Sequence, residues 1–434
     1  MTRLAPLALA TGAGSGLAAA ALSLLVDGVT GAAQHGGVFL VAAPVLGGLG
    51  YGLLVHLFAP RTRGLGIPEL MLAVAGSGEV GARAAVVRTI GAALCVGTGG
   101  SLGREGPAVV AGSAIGSALG RRAGVAAPEV RVLIGCGVVA ATAVIFDAPV
   151  TGVVFALELF LARTLAAEIT GVADGGVVDG GPAPAPPKRP VAAWCRRARS
   201  AFVVLSPVVG LLSVAGFAAA AVRLVVLGTE PFLDVRPGEV ALTAALGLGA
   251  VCGLVGAGFG ALVYVAEDLV DRVWRGPPWL RPAAGGVLLG LLLLALPRLY
   301  GMGSPVIGEA AAGTLPLALL LVLAAGKAVA AGFTLAIGGV GGVLIPLLFV
   351  GTMLGAAWGT LSDGSTSGYA LVGMAAVLAG AARIPATAVM LTVELSGQVM
   401  PAVVGAALVA AGISRLVSPG TVFTRKLLRR GIRW

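Results

Sequence analysis

The stretch Gly97–Gly116, GTGGSLGREGPAVVAGSAIG, holds the question on which the fold turns. Arg104 and Glu105 stand side by side in an otherwise small and apolar run, ringed by glycines and followed by Pro107. Glycine lets a backbone turn tightly and leaves its N–H groups open, and proline suits the first turn of a helix, where its missing N–H costs nothing. The run therefore reads as a loop that breaks into a helix at Glu105–Pro107.

The surroundings say where that helix begins. Apolar runs of near-spanning length recur at Ala5–Val26, Gly37–Phe58, Val130–Ile145, Phe202–Leu227, Ala241–Val265, Ala283–Leu296 and Leu315–Ile337. A spanning helix needs roughly 20 apolar residues. Charged residues make up 11% of the chain against about 25% in a soluble domain. In lipid every backbone group must be satisfied internally, and these long runs without alternation exclude a barrel. The expectation is an all-α polytopic membrane protein. The first run is read as a membrane helix, because the rest of the chain is as hydrophobic, and not as a cleaved signal.

The net charge of +10 does not point to nucleic acid. Aromatic residues are few, and Lys/Arg cluster at Lys188–Arg199 and Arg425–Arg433, where they read as cytoplasmic topology signals. Cys95, Cys136, Cys195 and Cys252 lack ligand spacing and form no disulfide framework, and His35 and His56 are isolated. No metal and no cofactor is expected.

Two further breaks share the grammar of glycines, proline, then an apolar helix: GLGIPEL (Gly64–Leu70) and GGVGGVLIPLL (Gly338–Leu348). A helix start inside the membrane carries unpaired N–H groups and the positive end of the dipole. Three such starts converging would bind an anion without a full positive charge and still release it. A carboxylate in the bilayer costs roughly 2.5–3.5 kcal/mol and is a functional candidate by default. Ionised, Glu105 would occupy such a site and block it; protonated or displaced by an anion, it would swing away. The bland alternative is a pair with Arg104.

The chain also repeats. PVTGVVFALEL (Pro149–Leu159) matches PATAVMLTVEL (Pro385–Leu395) at an offset of 236, with Pro, Thr, Val, Glu and Leu coinciding. The same offset takes Gly103 to Gly339, Gly106 to Gly342 and Gly137 to Gly373. Gly171–Pro190, rich in Gly, Pro and Asp, reads as a polar linker between the halves. Internal duplication with broken helices at the repeat interface is typical of transporters.

GREGP with GLGIP upstream and GGVLIP downstream resembles the CLC family of chloride channels and proton/chloride antiporters, supported by FDAPVTGVVFALE (Phe146–Glu158) and GMGSPVIGEA (Gly301–Ala310). The resemblance covers residues 37–418. It implies the CLC fold, two inverted-topology repeats of tilted and broken helices, in a homodimer with one pore per subunit. It assigns gating and proton transfer to Glu105, and the anion site to Leu65, Gly66, Ile67, Pro68, Gly103, Arg104, Gly106, Pro107, Val343, Leu344 and Ile345. Arg104 would shape the external approach, and Arg88 would add positive potential. The implied organisation is one membrane transport domain over 1–434: repeat 1 at 37–165, linker 171–199, repeat 2 at 200–418 and a basic tail at 419–434, of the prokaryotic type without C-terminal CBS domains. The cell membrane is the expected location, with linker and tail cytoplasmic and lipid, protons and chloride as partners.

Three positions depart from the family pattern. Leu65 stands for the serine of GSGIP and Leu344 for the phenylalanine of GxFxP, and SGQVMPAV (Ser396–Val403) lacks the tyrosine expected after PATAVMLTVEL. Leu159 falls where antiporters carry an inner proton-transfer glutamate. Glu158 is the neighbouring acid, either that proton acid or a structural carboxylate, and Glu394 shares the ambiguity. The expected function is transport of chloride or a similar small anion, by channel or by proton-coupled exchange, with export of another anion such as fluoride as the alternative. A membrane enzyme would need a nucleophile paired with a base, which the apolar segments lack. A scaffold without transport is the remaining class.

Overall fold

The computed structural model describes residues 3–34, 37–59, 66–75, 79–161, 190–233 and 235–432. Among them, regular structure is helical: α1 (Leu4–Ala33), α2 (Phe39–Phe58), α3 (Gly66–Ala75), α4 (Ala82–Gly97), α5 (Glu105–Arg122), α6 (Ala127–Phe146), α7 (Pro149–Phe155), α8 (Pro190–Val226), α9 (Leu242–Val273), α10 (Arg281–Ala295), α11 (Ser304–Ala311), α12 (Leu317–Ala336), α13 (Leu344–Leu361), α14 (Thr366–Ala382), α15 (Pro385–Ser396), α16 (Pro401–Val417) and α17 (Thr424–Arg429). A π-helical turn, Ala156–Leu161, prolongs α7, and a 3₁₀ turn, Pro297–Leu299, follows α10.

Among the described residues seven segments are long and apolar enough to cross a bilayer: α1, α2, α6, Ser206–Val226 of α8, α9, α12 and α13. The apolar run Ala283–Leu296 falls in α10, which is only 15 residues long. α13 takes its place as a span, although its sequence begins at a glycine-proline break. Residues 162–189 lie outside the described residues, and with them residues 171–189 of the expected linker. From Pro190 onward the chain is already helical, so the stretch 190–199 opens α8 and is not part of a loop.

Between helices in lipid the hydrophobic effect offers little, and close packing through small residues takes over. α5 lies on α6 and α13 on α14 in this way. A Cβ added at Gly112 would strike the carbonyl of Gly137, and one added at Gly351 would strike the carbonyl of Gly373. Gly116 meets the Leu133 carbonyl as Gly355 meets that of Tyr369. α6 and α14 are apolar on every face because they are buried along nearly their whole length.

These pairs are the two halves superimposed. From Gly112 to Gly351 the offset is 239, and from Gly137 to Gly373 it is 236. The three-residue change arises because α6 has 20 residues and α14 has 17. The register expected at 103/339 and 106/342 is thus corrected. Gly103 corresponds to Gly342 and Pro107 to Pro346, while Gly99 and Gly338, both at positive φ (115° and 89°), are likewise 239 apart. Farther along, Asp147 and Arg383 end α6 and α14 in the left-handed region at φ 56° and 57°, 236 apart.

Gly103 and Gly342 pair with each other as an antiparallel bridge, N–H to carbonyl at 2.9 and 2.6 Å. Equivalent segments that meet antiparallel are related by a two-fold axis between them. The halves therefore run in inverted directions.

Candidate functional site

The bridge sets the start of α5 against the start of α13. Glu105, first residue of α5, turns its carboxylate across the two-fold onto the other helix, and Ile345 N–H donates to Oε1 at 3.1 Å. The Leu344 N–H faces the same carboxylate. Oε2 accepts no hydrogen bond, and the residue is 1% exposed. The absent side chains of Gly103 and Gly342 make the room, since a Cβ at either would run into the carboxylate. The N-terminus of the 18-residue α13 thus already holds an acidic group of the chain itself.

Arg104 does not serve as its counter-ion. Its Nη1 donates to both carboxylate oxygens of Asp27 on α1, at 3.0 and 2.9 Å, and to the Ser23 carbonyl at 3.4 Å. Among the described residues no hydrogen bond or ion pair joins Arg104 to Glu105. Asp27 escaped the sequence reading, although a lone acid closing the run Ala5–Val26 was a visible signal.

The third break is placed in part. Leu65 lies outside the described residues. Gly66 starts α3 and packs against Val110 of α5 and the guanidinium of Arg88; Ile67 and Pro68 are buried behind it. Arg88 Nη2 lies 4.0 Å from Glu69. Glu69 also receives Lys426 of α17 at 2.8 Å and Arg430, the residue just past α17, at 3.4 Å. Arg88 therefore belongs to a charge cluster between α3, α4 and α17. A cavity of about 300 Å³ opens beside this cluster, lined by Tyr51, Glu267, Asp271, Arg281, Lys426 and Arg430, and reaches Ala336–Gly338 at the root of the loop into α13.

Glu158 is committed elsewhere. It accepts from Ala386 N–H at 3.1 Å, Thr387 N–H at 2.8 Å and Thr387 Oγ1 at 2.7 Å, which caps the start of α15. These contacts give Glu158 a capping task at α15. Leu159 beside it is buried.

Another charge was missed altogether. Lys327, in the middle of α12, is 0% exposed. Its Nζ donates to the Gly301 carbonyl at 2.6 Å and the Leu299 carbonyl at 3.4 Å, and lies 5.1 Å from the centre of the Phe349 ring. A single lysine in a 20-residue apolar helix was the available signal.

Known proteins resemble this chain in sequence and in fold. Residues 47–173 and 201–415 match the family model described as voltage gated chloride channel. A ClcB-like protein of Ralstonia nicotianae is 30% identical over 403 residues, covering 89% of this chain and 85% of its own. The H(+)/Cl(-) exchange transporter ClcA of Vibrio cholerae serotype O1 is 28% identical, covering 82% and 71%. Among solved structures, a slow cyanobacterial Cl-/H+ antiporter superposes with a TM-score of 0.79 at 21% identity, over 99% of this chain and 98% of the other. A CLC-type fluoride/proton antiporter superposes at 0.73 and 22%, over 97% of each.

Proposed function

The chain belongs to the voltage-gated chloride channel family, the CLC proteins its motifs resemble, and from that premise we propose that it carries chloride or a similar small anion across the cell membrane with Glu105 as the gate. The observation that carries this reading is the hydrogen bond from Ile345 N–H to Glu105 Oε1 at the start of α13. An ionised Glu105 occupies the place where a transported anion would be held by the N–H groups of Val343, Leu344 and Ile345. A carboxylate that takes up a proton loses its charge and its hold on the helix end, and the anion enters. Anion and carboxylate compete for one set of N–H groups. Members of this family are transporters or channels, not enzymes.

The name of the Vibrio relative supports coupling to protons, which Glu105 would carry on the outer half of the path. Glu158, with both oxygens engaged at α15, is not given the inner half of that task. Family membership supports a homodimer in lipid, one transport domain with the two halves described above, and a cytoplasmic linker and tail. Export of another small anion such as fluoride is the second reading, kept open by the CLC-type fluoride/proton antiporter among the structures of the same fold.

The test is anion and proton flux from liposomes. The native protein should pass chloride. Glu105→Gln should pass chloride with no proton movement and no pH dependence. Unaltered proton-driven chloride uptake in Glu105→Gln would remove Glu105 from the gate, and fluoride flux without chloride flux would select the second reading.

A further inference from the structure

Lys327 has no part in the reading above, and its position is costly. An ammonium at bilayer depth is unfavourable by roughly 2.5–3.5 kcal/mol on insertion scales. Among the described residues no carboxylate lies within ion-pair distance of it. Two carbonyls and an aromatic face solvate the charge without neutralising it.

Its neighbours lead to both helix starts. Phe349, against which the ammonium rests, lies five residues into α13 from Leu344. The Leu299 carbonyl also accepts from Ser101 Oγ at 3.2 Å, and Ser101 N–H donates to Thr334 Oγ1 on α12 at 3.3 Å. Ser101 lies in the loop that ends at Glu105. The Gly301 carbonyl belongs to GMGSP, a motif the sequence reading left without a task, and Tyr300 Oη beside it donates to the Gly97 carbonyl at 3.0 Å. Lys327 is thus tied to the loop before α5 and to the first turns of α13, the two segments that frame Glu105.

We propose that Lys327 is the fixed positive charge that an anion at the start of α13 neutralises, so that it sets the affinity of the site without touching the anion. The charge is satisfied by one negative group at a time, Glu105 or the transported anion. When Glu105 leaves, an anion is drawn in; when the anion leaves, Glu105 returns. This supplies attraction to a site that lacks the hydroxyl of the family serine. The inference rests on the proposed gating reading.

The experiment is made in the Glu105→Gln background, where the competing carboxylate charge is gone, with chloride as the probe. Pre-steady flux from liposomes is measured against chloride concentration for Lys327, Lys327→Gln, Lys327→Met and Lys327→Arg. The Gln variant keeps a donor for the Gly301 carbonyl, and Met keeps the length. Both neutral variants should raise the half-saturating chloride concentration about tenfold or more while maximal flux changes by less than about threefold, as expected for loss of a through-space charge. Arg should restore the parent value. Unchanged half-saturation in a folded neutral variant overturns the proposal, as does an Arg variant as weak as the neutral ones. Should neither neutral variant fold, Arg decides alone: half-saturation within about twofold of the parent supports the charge, and a tenfold rise refutes it. The two readings fail separately, because a Glu105→Gln parent that passes chloride without pH dependence upholds the gate whatever Lys327 does.

Discussion

Glu158 and Glu394 hold each other's half of the protein. Glu158 caps α15 through Ala386 N–H and Thr387, and Glu394 on α15 caps α7 through Val150 N–H at 3.0 Å and Thr151 N–H at 2.6 Å, with Thr151 Oγ1 at 2.5 Å. Each carboxylate thus serves the residues that are the repeat mates of those serving the other. Loss of a helix cap costs about 0.5–2 kcal/mol. Glu158→Ala and Glu394→Ala should each lower thermal stability in detergent, by similar amounts. Neither should alter the pH dependence of anion flux. Loss of proton coupling in Glu158→Gln with stability unchanged would return Glu158 to the proton path.

The room for Glu105 is made by two glycines, and this can be tested without changing the acid. Gly342→Ala puts a methyl group where the carboxylate lies, while the backbone bridge to Gly103 needs no side chain. The native flux should rise as pH falls, because protonation frees the carboxylate from α13. In Gly342→Ala the carboxylate is excluded at every pH, so flux at high pH should approach the low-pH value. A stopped-flow pH series reads this directly, and a native-like pH profile in the alanine variant would mean that the carboxylate blocks from some other place.

The fold was legible because the features that build it are local in sequence. Broken helix starts at Glu105 and Leu344 and the matched segments 149–159 and 385–395 announce themselves by composition. The register around GREGP was not legible, because α6 is three residues longer than α14 and a single offset cannot bridge that change. Partners were less legible still. Arg104 finds Asp27 from α1, and Arg88 joins Glu69 with Lys426 and Arg430 from the far end of the chain. Such pairs depend on which helices become neighbours, and motif spacing carries no record of that. Lys327 was overlooked for a different reason: it marks no break and has no charged neighbour in sequence, so a search for helix starts passes over it.

The tail gives a topology test. α17 places Lys426 on Glu69 and Arg429 on Asp268, both carboxylate oxygens of the latter at 2.8 Å. If the basic tail faces the cytoplasm, a single cysteine introduced at Gly431, past the end of α17, should react with a membrane-impermeant thiol reagent only from the inside. The same holds for Gly180 in the polar linker. Labelling of either from the outside alone would invert the assignment.

Anion selectivity is the last expectation, and it follows from what the helix starts can offer. On the proposed reading, with Leu65 for a serine and Leu344 for a phenylalanine, coordination of the anion would rest on backbone N–H groups and helix dipoles. Such groups hold an anion in a less particular geometry than an added hydroxyl would, and an apolar surround penalises anions that keep their water. The native protein should therefore bind chloride weakly and prefer larger, easily dehydrated anions such as thiocyanate and nitrate. Leu65→Ser should restore one hydroxyl donor, worth about 0.5–1.5 kcal/mol, and so strengthen chloride binding by roughly two- to tenfold. It should move the preference toward chloride. Calorimetric titration of both forms with chloride and thiocyanate checks this. Tight chloride binding in the native protein, unchanged by Leu65→Ser, would mean that the N–H groups of α13 suffice by themselves and that the missing hydroxyl has no bearing on selectivity.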